Sequence, residues 1–128
     1  MGDLMELKDT VALVTGGSEG IGRAIAEALV GQGCEVTITG RREETVRNTA
    51  EQLGLDWIVG DVGNEDDAVR TVGSVIAKHG RLDILVNNAG YGLFKPLVDT
   101  TFEELQSVYR TNVFGPFLMA REAARQFI

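Results

Sequence analysis

The segment Thr15-Gly-Gly-Ser-Glu-Gly-Ile-Gly22 places Gly16, Gly20 and Gly22 where an apolar run gives way to a helical pattern. Three physical needs meet at that spacing. A tight turn needs left-handed backbone angles, a phosphate needs close approach to bare backbone, and a helix amino terminus offers N–H groups and the positive end of a dipole. Such a loop cradles a pyrophosphate, with Ser18, Glu19 and Ile21 completing it. A glycine cluster alone is also an ordinary turn, and only its position after the first strand of an alternating pattern separates the two readings. Further along, Arg41 could grip a second anionic group in a forked, charge-assisted contact, whereas Arg42 fits better as the start of a solvated helix.

The elements around these residues alternate. Val11-Ala-Leu-Val-Thr15 is short, almost wholly apolar and ends at glycines, as expected of a strand covered on both faces. Ile21, Ile25, Ala28 and Leu29 then recur at helical spacing until Gly31 and Gly33. The alternation continues through a strand at Glu35-Val-Thr-Ile-Thr39, a helix over about 43–53 and a strand at Asp56-Trp-Ile-Val59. A helix with Val69, Val72 and Ile76 on one side and a fourth strand, Leu82-Asp-Ile-Leu-Val86, follow. Residues 102–128 read as mostly helical, with Leu105, Val108, Asn112, Met119 and Ala123 near one stripe, and no fifth strand appears. Right-handed crossovers between parallel strands then give an α/β fold, a Rossmann-like doubly wound sheet of four strands in order 3-2-1-4. The 128 residues form one domain, without repeat or linker.

With the elements in place, the motifs resemble those of the short-chain dehydrogenase/reductase family. Thr15-Gly-x-x-x-Gly-Ile-Gly22 resembles its glycine loop, Asp61-Val62 its adenine contact, Asn87-Asn-Ala-Gly90 its signature after strand four, and Asn112 its catalytic asparagine. The likeness runs from Leu7 to Ile128 and is similar to ketoacyl- and tropinone-reductase-like members. It implies a nicotinamide dinucleotide cofactor bound by Gly16, Ser18, Glu19, Gly20, Ile21, Gly22, Asp61, Val62, Asn88, Ala89 and Gly90. An NAD site of this kind usually carries an acid near the end of strand two, about 20 residues past the glycines. Here that place reads Thr39-Gly-Arg-Arg42, so NADP is expected over NAD, with Arg41 on the 2′-phosphate. Glu19 stands where NADP-preferring members often carry a basic residue, and Arg41 is its expected partner.

Pro116 has no N–H and its ring crowds the carbonyl of Asn112, so the long helix should break there. The freed carbonyl could hold a water, which matches the role the resemblance gives Asn112 in a proton relay; a kink used only for packing is the alternative. In the family, the next strand brings a serine and the following helix a Tyr-x-x-x-Lys pair, and this sequence is read as the amino-terminal half, stopping before both. Hydride transfer to a ketone needs a proton donor, so without them turnover should be slow or absent. Tyr91-Gly-Leu-Phe-Lys95 has the same spacing, but Gly92 and Pro96 point to a loop, and the match reads as coincidence. Trp57 reads as core, and His79, the single histidine, as a helix-end capping or surface residue.

A net charge of −7 argues against nucleic acid or an anionic membrane as partner, and no metal site is expected. The lone Cys34, in an apolar run, reads as a small core residue and fits a reducing cytoplasm. Residues 1–10 carry acids where a secretory signal would carry lysine or arginine. An uncovered strand-four edge and the long carboxyl-terminal helix lead to the expectation of a homodimer through one or the other. Three functions follow: a module that binds cofactor without turnover, a reductase completed by dimerisation or by Tyr91 and Lys95, and an assembly fragment with a vestigial loop.

Overall fold

A computed structural model describes residues 6–128; residues 1–5, half of the segment read above as lacking a leader, lie outside the described residues. Four strands, β1 (Val11–Thr15), β2 (Glu35–Gly40), β3 (Asp56–Val59) and β4 (Ile84–Val86), form one parallel sheet in the expected order β3-β2-β1-β4. Helices α1 (Gly20–Gly31), α2 (Glu43–Leu53), α3 (Glu65–His79), α4 (Phe102–Tyr109) and α5 (Gly115–Phe127) complete it. All five residues of β1 are buried, because the strand lies between β2 and β4 and is covered on both faces. Alternate side chains serve two cores: Val11 and Leu13 face α3 and α5 with Val72, Val75 and Met119, while Ala12 and Val14 face α1 and α2 with Ala26, Ile38 and Val46. Each fully buried Val or Leu is worth about 1.5–3 kcal/mol. Cys34 takes the small core position expected of it, and Trp57 packs half-buried against the α1–α2 core.

Two helical stripes turn out rotated. On α1 the buried residues are Gly22 and Ala26, with Ile25 and Leu29 half-buried, whereas Ile21 is 75% exposed and Ala28 faces solvent. The cause is close packing: a glycine and an alanine let the helix lie against the sheet where Ile21 would not fit. On α3 the buried set is Ala68, Thr71, Val72 and Val75, and Val69 is 47% exposed.

The long carboxyl-terminal helix is interrupted as Pro116 required, by a π-helical segment, Arg110–Phe114, that lets α5 restart with Pro116 in its first turn. The extra residue per turn shifts the face of α5 relative to α4. Met119 and Ala123 are therefore buried while Leu105 and Asn112, expected on the same stripe, are exposed.

Candidate functional site

The carboxyl ends of the four parallel strands open on one cleft of about 530 Å³. It lies where the chain, having gone from β1 to β2 and β3 on one side, crosses to β4 on the other, the place where open α/β sheets hold ligands. From the glycine loop the cleft takes Gly16, Ser18 and Glu19; from the end of β2, Thr39, Gly40, Arg41 and Arg42. The segment after β3 adds Gly60, Asp61 and Val62, the loop after β4 adds Ala89, Gly90 and Tyr91, and Thr111 comes from the π segment. Gly20, Ile21, Gly22 and Asn88 are not among the residues that line it.

Gly22 explains how the loop is held. A Cβ there would lie 2.2 Å from the Gly16 carbonyl oxygen and 2.3 Å from Asn88 Nδ2. Asn88 Nδ2 donates to that same carbonyl at 3.0 Å, and the backbone N–H groups of Asn88 and Ala89 both donate to Thr15 Oγ1 at 3.0 Å. Thr15, which sequence reasoning passed over, thus locks the loop after β4 to the end of β1. The signal was a hydroxyl closing an otherwise apolar strand.

Gly20 has φ of +59°, a left-handed angle, and opens α1. No side chain caps this helix: Glu19 occupies the N-cap without making a cap bond, and the first turn holds no acid. The helix therefore presents uncommitted N–H groups and its positive dipole end. Glu19 reaches instead to Arg42, Nη2 to Oε1 at 2.9 Å, so the partner is Arg42 and not the expected Arg41. The backbone of Arg42 forms the N-cap of α2, and from there its side chain spans to the amino end of α1. Arg41 is exposed and has no ion-pair partner among the described residues. Gly40 packs tightly, since a Cβ there would come within 2.8 Å of Val46 Cγ2.

Asp61 is positioned from below. Its N–H donates to Asp67 Oδ2 at 2.9 Å, and its own Oδ1 accepts from Gly63 N at 2.9 Å. That backbone hydrogen bond, with further help from Arg70, holds the Asp67 carboxyl below its ordinary value despite partial burial. Val62 is a core residue whose edge meets the cleft.

Asn112 lies in the π segment, and its side chain clamps Tyr91: Tyr91 N donates to Oδ1 at 3.0 Å and Nδ2 donates to Tyr91 O at 2.7 Å. Tyr91 and Lys95 sit in irregular chain rather than on a helix face. Lys95 does not line the cleft; its ammonium contacts both oxygens of Glu104 at 3.0 Å, and the Thr101 N–H, helped by this lysine, keeps the Glu104 carboxyl below its usual range. His79 is a correction of another kind. It ends α3 but is no surface residue, since its side chain is 11% exposed and wedged between Glu35 Oε2 at 2.7 Å and Asp56 Oδ2 at 2.9 Å. This cluster lies at the amino ends of β2 and β3, the end of the sheet opposite the cleft.

The residues present fit a dinucleotide. The bare amino end of α1 suits a pyrophosphate, and the Gly16–Gly22 contact leaves backbone where a side chain would intrude. Thr39 Oγ1, at the cleft wall, is buried without a hydrogen-bond partner. Among the described residues no helix is long and apolar enough to cross a membrane.

Residues 10–128 match the short chain dehydrogenase family. Among curated relatives, L-2,3-butanediol dehydrogenase of Corynebacterium glutamicum is 39% identical over 91% of this chain and 48% of its own length. Zerumbone synthase of Zingiber zerumbet is 38% identical over 97% and 49%, and tropinone reductase-like 1 of Erythroxylum coca 36% over 95% and 47%. The chain thus spans under half the length of the curated relatives it matches. A solved short-chain dehydrogenase from Streptomyces avermitilis superposes with a TM-score of 0.86 at 37% identity, covering 93% of this chain and 44% of that one.

Proposed function

Because the chain belongs to the short-chain dehydrogenase family, we propose that these 128 residues are the NADP(H)-binding half of a carbonyl or alcohol oxidoreductase. Members of the family bind nicotinamide dinucleotides, which supply or accept a hydride when bound. The single observation carrying the NADP preference is the end of β2, where Arg41, without an ion-pair partner among the described residues, follows Gly40 and the strand itself ends on no acid. The glycine loop and the amino end of α1 take the pyrophosphate; Asp61 and Val62 border the adenine; Asn88, through the loop after β4, fixes Ala89 and Gly90 beside the nicotinamide.

Asn112 acts on this half by positioning, its side chain holding both backbone groups of Tyr91, and its carbonyl, for which Pro116 offers no N–H, is the place for a relay water. The family's serine and Tyr-x-x-x-Lys pair are not among these 128 residues, so this half binds cofactor without supplying the proton donor that hydride transfer to a ketone needs. Tyr91 with Lys95 is a poor substitute, because Glu104 holds the lysine. The exposed side chains of Leu105, Tyr109, Val113 and Phe117 on α4, the π segment and α5, together with the β4 edge, support a homodimer, and the single free Cys34 fits a reducing cytoplasm. A monomer by light scattering at micromolar concentration would remove that part of the proposal.

Titration with NADPH and NADH tests the cofactor assignment. NADPH binds the tighter, and Arg41→Ala weakens NADPH about tenfold, the worth of one charge-assisted contact, while leaving NADH unchanged. Equal affinities with no effect of Arg41→Ala would overturn the NADP reading.

A further inference from the structure

We propose that Glu19 limits the cleft's preference for a 2′-phosphorylated dinucleotide by engaging the Arg42 guanidinium that would otherwise join Arg41 on that phosphate. The inference rests on the NADP reading above. Three charged side chains share one wall of the cleft: Glu19 at the amino end of α1, Arg42 at the amino end of α2, and Arg41 between the sheet and α2. The Glu19–Arg42 pair closes across this wall at 2.9 Å, with side chains 68% and 76% exposed. Arg41 has no such partner among the described residues, so the wall holds one free guanidinium and one neutralised one.

An exposed ion pair is held together weakly, because water and salt screen it. A phosphate with close to two negative charges therefore competes with the Glu19 carboxylate for Arg42. The competition costs the phosphorylated ligand twice: Arg42 has to leave its carboxylate, and the released carboxylate then stands beside the phosphate as a like charge. A ligand with a hydroxyl in place of the phosphate neither needs Arg42 nor is repelled by Glu19. The pair is thus a selectivity element, and its effect falls on the ratio of the two affinities. The acid does not serve the helix dipole either, since Glu19 makes no cap bond and its carboxylate is turned to Arg42.

The test is direct titration of Glu19→Gln, Arg42→Ala and the double variant with NADPH and NADH, at low and high salt. Glu19→Gln is expected to tighten NADPH about tenfold, with NADH changed by less than about twofold. Arg42→Ala alone should weaken NADPH no more than about twofold, but about tenfold when Glu19 is already glutamine, a coupling that shrinks at high salt. Equal tightening of both nucleotides would place Glu19 on the shared pyrophosphate and overturn the inference. Weaker NADH binding in Glu19→Gln would make Glu19 a ribose-hydroxyl acceptor, and no change in either would make the pair ornamental; both results also overturn it. Arg41→Ala separates the levels. If it weakens NADPH while Glu19→Gln is silent, only the Glu19 inference falls; if it affects neither nucleotide, the NADP reading falls with it.

Discussion

At the amino end of α3 the chain serves itself: the Asn64 side chain accepts from Asp67 N at 2.9 Å, and Glu65, Asp66 and Asp67 fill the first turn. At the amino end of α1 it does neither, although this helix borders the cleft. The carboxyl ends differ in the same way. The last turn of α3 carries Lys78 and His79, which pair with Asp56 and Glu35, whereas the last turn of α1 has no basic residue. Capping and dipole complementation are therefore given to the helix whose task is packing, and α1 is left for an anion from outside. A helix that forgoes about 1 kcal/mol of capping at its most accessible end is a ligand-binding element before it is a structural one.

The comparison can be broken at α1 most severely through Gly22. Gly22→Ala puts a methyl group into the Gly16 carbonyl and Asn88, so a loss of about 2–3 kcal/mol in denaturant unfolding and no measurable dinucleotide binding are expected. Binding retained in a folded Gly22→Ala protein would mean that the loop is not the phosphate site. The matching change on α3 is Asn64→Ala, which removes a cap worth about 1 kcal/mol and should leave dinucleotide affinity untouched.

The smallest effect is one of pH, at the amino ends of β2 and β3. Burial raises the Asp56 carboxyl, but hydrogen bonds and charge from Lys78 and His79 outweigh it and hold the group below its ordinary value. A lowered folded value means stability that is present above the ordinary carboxylate pKa and lost as pH falls through the folded one, hence below about pH 4. Asp56→Asn should flatten the acid limb of the stability curve in that window and leave NADPH binding at neutral pH unchanged.

Much of this was legible in the sequence. β1 and β3 could be bounded to the residue because apolar runs stop at glycine or aspartate, and alternation with helices fixed the order of the sheet. The glycine loop was legible because its residues are unusual for any other purpose. Side-chain partnerships were not. Arg41 and Arg42 look alike in sequence, and only the path of the chain at the start of α2 hands Glu19 to Arg42. The exposed Ile21 and Val69 show the limit of periodicity, which locates a helix more reliably than it orients one that packs through glycine and alanine. Pro116 announced a break, but a π segment, with Asn112 turned to clamp Tyr91, depends on where the loop after β4 lies. His79 reached Glu35 and Asp56 across 44 and 23 positions of sequence, and neither separation carries a local signal.

The central claim is that the uncapped end of α1 receives the phosphates of a dinucleotide. Amide chemical shifts followed during an NADPH titration address it residue by residue. The account predicts saturable shifts that are largest at the N–H groups of Gly20, Ile21 and Gly22, with Gly40 and Arg41 following and the amino end of α3 silent. Saturable binding that moves the amino end of α3 or the Asp56–His79 cluster while leaving Gly20 to Gly22 unperturbed would contradict it.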